Sequence, residues 1–169
     1  MTIHSSHPFA VTQPDAGRQF RGRLGGRVSL WTTGQGAGRV GLTVTSLLVV
    51  GGEPWRLVAA LDPDAEFTDA LVASGRAVVT LLQAEQLGLA EAFGGGPAPG
   101  GPFRIGQWLD TAWGPRPEVG FTWAGVSLES ASPLGWSLLV TCALEHVEIV
   151  ATDRPLRHER GRYLLGRSD

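Results

Sequence analysis

The stretch VGLTVTSLLVV, Val40 to Val50, decides how this chain is read. It looks like one long apolar strand, yet Thr43, Thr45 and Ser46 put hydroxyls into its middle. Side chains alternate between the two faces of a strand. Thr43 and Thr45 therefore share one face, and Leu42, Val44 and Ser46 the other. Polar atoms fall on both faces just where an apolar strand should be best buried. Either these hydroxyls bond a neighbouring strand, or they face a ligand with polar edges.

The surroundings read as a meander over residues 27 to 61. RVSLWTT before the stretch and EPWRLVAAL after it are strands, and GQGAGR is the turn of a hairpin. Gly34, Gly36 and Gly38 invite a phosphate-loop reading, but neither the following helix nor the lysine of such a loop is present, so they are a turn. Upstream, PDAGRQFRGRLGG makes a short helix with Pro14 in its first turn and Gly25-Gly26 at its end. Residues 1–13 are a loose, non-periodic tail, which leaves residues 14–169 as one domain.

Downstream, DPDAEFTDALVASG is a helix that Asp62 or Asp64 can cap and Gly75 stops. RAVVTLL is a strand, and AEQLGLAEAF a second helix with Leu87, Leu89, Ala90 and Phe93 inward. GGGPAPGGPFRIG cannot hold regular structure and is a surface loop or lid. FTWAGVSLESAS and WSLLVTCALEHVEIV are long strands, and RPLRHERGRYLLG closes the chain. Antiparallel strands with two short helices fit a small barrel better than a doubly wound sheet.

The chain has 169 residues, 43% of them apolar and 18% charged, so it is globular and long enough for a proper core. A net charge of −2 argues against nucleic-acid binding, which wants a basic face. All its basic side chains other than histidines are arginines, suited to planar contacts with phosphate or carboxylate but better read as the mark of GC-rich coding. The single cysteine, Cys142, excludes an internal disulfide and a cysteine zinc site. No segment has the order of a signal peptide and no apolar run approaches a membrane span, which predicts a cytoplasmic protein.

The conventional catalytic sets are missing. No serine lies in a G-x-S-x-G elbow. His4 and His7 fall in the tail, and His146 and Glu148 share a strand face without a third metal ligand nearby in sequence. The carboxylates of DPDAEF serve as helix N-terminal charges. That absence is informative if a cofactor carries the chemistry.

Four segments in order carry a resemblance: RVSLWTTGQGAGRVGLTVTSLLVV, LVAALDPD before a helix, SGRAVVTLL followed by LAEAF, and HERGRY at the end. In these the chain resembles the flavin reductase-like family, short-chain flavoproteins with an FMN-binding split β-barrel, over roughly Arg18 to Tyr163. The resemblance implies an antiparallel split barrel with two or three short helices, assembled as a homodimer with the flavin near the interface. It implies hydride transfer from NADH or NADPH to FMN, with FAD or a deazaflavin as other candidates, and a monooxygenase partner that receives reduced flavin.

It also implies site residues. Thr43, Val44, Thr45 and Ser46 match the segment that walls the flavin, an apolar body with hydrogen-bonding edges. Leu61 and Asp62 lead into the turn where the family carries a Ser-x-Thr phosphate grip. Those two places are Ala65 and Phe67 here, with Thr68 one residue off and Asp62, Asp64 and Glu66 close by. Carboxylates repel a phosphate, although backbone N–H groups at the helix start remain as donors. This departure motivates the alternative of a non-enzymatic, dimeric split-barrel protein that holds a flavin or haem with a degenerate phosphate site. In HERGRY, His158 would be the catalytic residue at the ring, and Arg160 and Arg162 would meet a phosphate bidentately. On residues alone, that segment is equally a basic strand solvated on one face. Trp55, Trp123 and Trp136 read as core or dimer interface, and Trp108 and Trp113 as walls of the active site.

Overall fold

The computed structural model describes residues 15–118, 120–151 and 154–165. The expected tail, Pro14, His4 and His7 lie outside them. α1 (Ala16–Leu24) is capped by the Asp15 carboxylate, which accepts the Gly17 N–H at 2.9 Å. Gly25, with φ of 64°, turns the chain out of it. β1 (Gly26–Arg27), β2 (Ser29–Thr33), β3 (Val40–Val44), β4 (Leu47–Val50), β5 (Arg56–Leu61) and α2 (Glu66–Ser74) follow. β6 (Arg76–Leu81), α3 (Leu87–Phe93), β7 (Trp108–Thr111) and β8 (Gly114–Pro117) lead to the long hairpin of β9 (Thr122–Leu134) and β10 (Ser137–Glu148). β11 (Leu156–Glu159) and β12 (Arg162–Leu165) end the described chain.

Seven strands form one antiparallel sheet in the order β3-β2-β6-β9-β10-β5-β4. β3 and β4 are its two opposite edges, yet only Thr45 and Ser46 separate them in sequence. Three peptide steps span at most about 11 Å. A flat seven-stranded sheet would hold its edges more than twice that distance apart. The sheet therefore curls until its edges meet, and the expected split barrel is the architecture found. The stretch Val40–Val50 is not one strand, as its apolar pattern suggested, but two strands and the step across the seam.

The curl separates two cores. Trp31, Val44, Leu57, Leu61, Phe67, Leu71, Val126 and Val140 fill the barrel, with α2 contributing Phe67 and Leu71. Val28, Leu30, Leu82, Ala90, Phe93 and Leu156 pack outside it, beneath α3 and a small sheet of order β1-β11-β12. β2 is buried along its whole length because each face meets one of these cores. RVSLWTT, read as one strand, breaks at Val28, where the chain passes between sheets: the Val28 N–H donates to Leu156 O, and Val28 O accepts the Leu82 N–H.

Other boundaries also differ from expectation. α2 is preceded by Ala65 at its N-cap, which offers no side-chain cap, because Asp62 turns its carboxylate to the Asp64 N–H instead. Gly75 stops the helix in the left-handed region as expected. AEQLGLAEAF divides into a 3-10 turn (Ala84–Gln86) and α3. The glycine-proline loop is pinned rather than free, since Phe103 meets Phe93 edge-on with ring centroids 4.9 Å apart. The β7–β8 hairpin was not legible. Trp123 is buried, whereas Trp55 and Trp136 are exposed and so not core.

Candidate functional site

The hydroxyls at the seam divide between two roles. Thr43 Oγ1 donates to the carbonyl of Ala90 in α3 at 2.8 Å. Ser46 Oγ donates to Ala60 O at 2.5 Å, and the Ala60 N–H returns a bond to Ser46 O at 3.1 Å. Both are braces, one fastening β3 to α3 and the other β4 to β5. Between them Val44 is buried, and its carbonyl accepts Ser29 Oγ at 2.7 Å, which in turn accepts the Trp31 indole N–H at 3.1 Å. Thr45 is held from both sides, is half-buried, and its hydroxyl takes no partner among the described residues. Of the three hydroxyls of the stretch, Thr45 alone has no protein partner among the described residues.

Two further segments meet this seam. Gly26 touches it so closely that a Cβ there would lie 2.8 Å from the Thr45 carbonyl oxygen, so only glycine fits. Gly26 is the register partner of His158. The half-buried His158 ring meets Tyr163 edge-on at 5.3 Å, and the Tyr163 hydroxyl reaches Ala90 O at 3.4 Å. Burial, then Glu91, raises the Tyr163 pKa above the ordinary tyrosine value, which keeps that hydroxyl a donor. Thr43, Ala90, Tyr163, His158, Gly26 and Thr45 therefore form one contiguous set. Ala90, Gly26 and Ser29 were missed in the sequence, where nothing distinguishes them from ordinary core and turn residues.

On the other side the Ser46–Ala60 pair leads to Leu61 and the acidic loop. Leu61 and Phe67 are fully buried in the barrel core. Thr68 is buried too, and its hydroxyl donates to Asp62 O at 2.7 Å, closing the loop on itself. Asp62, Asp64, Glu66 and Asp69 are all exposed there. Arg160 and Gly161 form the β11–β12 turn with φ of 50° and 78°, and the Arg160 N–H donates to Gly22 O at 2.9 Å. Arg162 is exposed on β12.

The other sequence candidates fall elsewhere. Trp108 joins Phe93 and Phe103 beside α3. Trp113 covers Gly125 and stacks on His146 at 5.4 Å, and Trp123 flanks the same ring at 4.7 Å. Glu145 accepts the Trp113 indole N–H, which, with Ser127, lowers its pKa. Glu148 accepts the indole N–H of Trp123. An open groove of about 570 Å³ runs between Gly52–Trp55 and Leu144–Val147, near β4 rather than at the seam. Among the described residues no cluster of metal-ligating side chains occurs, and no helix is long and apolar enough to cross a membrane.

Comparison with known proteins fits this geometry. The family model described as "Flavin reductase like domain" matches residues 21–165. An FMN reductase (NADH) RutF of Ancylobacter novellus is 33% identical over 97 residues, 57% of this chain and 54% of the relative. The chain thus spans about half the length of that relative in the matched region. The RutF of Agrobacterium fabrum is 28% identical over 148 residues, 86% of this chain and 84% of the relative. Among solved structures, BorF, the flavin reductase component of a bacterial two-component tryptophan halogenase, superposes with a TM-score of 0.79 at 21% identity, covering 91% of this chain and 98% of BorF. The Streptomyces globisporus NADH:FAD oxidoreductase SgcE6 gives 0.80 at 18% identity, over 92% and 96% of the two chains. These structural likenesses carry the fold.

Proposed function

This chain belongs to the flavin reductase-like family, and from that premise we propose that it transfers hydride from NADH or NADPH to FMN bound at the seam of the barrel. The observation that carries the reading is Thr45, an uncommitted hydroxyl on backbone fixed from both sides and packed against Gly26, the register partner of His158. A flavin needs an apolar wall with a few placed donors, and Thr45 as a donor, with the half-buried His158 and Tyr163 rings linked to it through Gly26, meets that need.

When bound, the flavin supplies the acceptor for a two-electron transfer. The chain's part is to hold two planar rings face to face, which makes the encounter effectively intramolecular. Thr45 and the backbone of Thr45–Ser46 orient the polar edge of the ring, while His158 packs against it. Trp31, Ser29 and Ser46 keep the seam from shifting.

A second copy of the chain completes the assembly in this reading. β4 presents Leu48 and Val49 at 55% and 54% exposure on a free sheet edge, with Trp55 and Val147 lining the nearby groove. Such an apolar edge favours a partner strand or face. The relatives named as halogenase and nitrilotriacetate monooxygenase components favour an oxygenase that receives the reduced flavin, in the cytoplasm. The non-enzymatic alternative has the acidic loop as its only motive, and the family and the named FMN reductases weigh against it.

The test is oxidation of NADH and of NADPH by the purified chain with FMN or FAD added. A flavin-dependent rate with at least one donor is expected. No rate in any combination would overturn the reading.

A further inference from the structure

His158 lies on the middle strand of the small sheet of order β1-β11-β12, and its two register partners are unlike. On one side is Gly26, which has no side chain, and on the other is Tyr163. Residues directly opposite on neighbouring strands put their side chains on one face. Tyr163 is therefore the one ladder partner whose side chain can fix the imidazole, and the two rings meet edge-on with centroids 5.3 Å apart. Toward Gly26 no ladder side chain meets the imidazole. Thr45 lies on that side, since a Cβ on Gly26 would come within 2.8 Å of the Thr45 carbonyl oxygen.

Tyr163 is itself held. Its hydroxyl reaches the Ala90 carbonyl at 3.4 Å, the same oxygen that accepts Thr43 Oγ1 at 2.8 Å. That carbonyl is open to both because α3 ends there. The Gly94 N–H, which would bond Ala90 O in a continuing helix, donates to Glu91 O instead. One oxygen of α3 thus serves both sides of the seam. Through Thr43 it holds the strand that leads to Thr45, and through Tyr163 it holds the ring beside His158.

We propose that Tyr163 is a positioning residue of the seam, which sets the His158 imidazole relative to Thr45 through the Ala90 carbonyl that it shares with Thr43. It touches no reacting atom and acts through His158 alone. The inference rests on the seam being the flavin site, and the measurements separate failure of that reading from failure of this one.

Tyr163→Phe keeps the ring and loses the hydroxyl, whereas Tyr163→Leu loses both. Each is made alone and together with His158→Ala, and oxidation of NADH or NADPH with FMN gives kcat. With His158 in place, kcat should fall severalfold for Tyr163→Phe, as loss of one hydrogen bond implies. For Tyr163→Leu it should fall about tenfold or more, because the ring is then free to leave its place. In the His158→Ala background neither substitution should lower kcat further, the mark of a residue that acts through another. A second readout needs no turnover. The His158 Cε1–H proton signal is identified among the four histidines by its loss in His158→Ala, and it should move in Tyr163→Phe although the neighbouring ring is retained. Should Tyr163→Leu melt early, Tyr163→Phe carries both tests. An unmoved signal in Tyr163→Phe would overturn the proposal, as would wild-type kcat in both variants or equal rate losses with and without His158. A wild type without any flavin-dependent rate would sink the hydride-transfer reading, and the proton signal would still decide whether Tyr163 places His158.

Discussion

β3 and β4 come from one run of eleven residues, and their fates are opposite. Val40–Val44 packs against α2 and α3, with Val44 buried in the barrel, whereas Leu47–Val50 forms an edge with three exposed apolar side chains. Composition does not separate them. What differs is the position each takes in the sheet order, which is fixed by strands from far along the chain. An apolar strand in sequence is therefore a demand for cover, and the fold of one copy meets that demand only for the first half.

The comparison breaks most visibly through stability. Val44→Ala removes a buried side chain at 4% exposure, and a loss of roughly 2 kcal/mol is expected, measured as a shift in urea midpoint. Val49→Ala should lose far less, and equal losses would mean that β4 is buried in the isolated chain.

Behind β4 the sheet is closed, and Cys142 reports on it. It lies on β10 opposite Leu57 of β5, fully buried. Burial, with a smaller contribution from Glu129, pushes its thiol up to about 12 from the ordinary 9.0. The folded state then keeps a proton that the unfolded state releases. Its stabilising contribution is complete below pH 9.0 and declines as pH rises toward about 12, by up to about 1.4 kcal/mol per pH unit. Urea unfolding at stepped alkaline pH should show this decline in the wild type and a weaker one in Cys142→Ala. Rapid alkylation of the folded protein at pH 8 would contradict it.

The smallest effect on stability, and the sharpest on assembly, belongs to Val49→Lys. As a surface change it should alter the unfolding free energy of a single copy by no more than about 0.5 kcal/mol. Light scattering should nevertheless report a dimeric wild type and a monomeric variant. A wild type already monomeric at high concentration would leave β4 uncovered and remove the case for a shared site.

Much of the fold was legible because local rules agreed with it. The Gly75 stop of α2, the hairpin before Val40 and the long β9–β10 strands rest on turn chemistry and alternation. The seam was not legible as a seam, since no local rule says that a strand will cross from one edge of a sheet to the other between Val44 and Leu47. The site was half legible. The sequence singled out Thr43, Thr45 and Ser46 as one group, but hydroxyl partners at Ala90 and Ala60, 47 and 14 residues away in sequence, set the two braces apart from Thr45. Asp62 was read as a cap for a similar reason, its acceptor being claimed by Asp64 two residues on.

The central claim is that Thr45 serves a flavin while Ser46 serves the fold, and two single variants measured in parallel test it most directly. Thr45→Val should leave the urea midpoint nearly unchanged and weaken FMN binding severalfold, as loss of about 1 kcal/mol implies. Ser46→Ala should do the reverse, losing about 1 kcal/mol of stability with the FMN dissociation constant nearly kept. Thr45→Val that destabilises the protein and leaves FMN affinity intact would contradict the account.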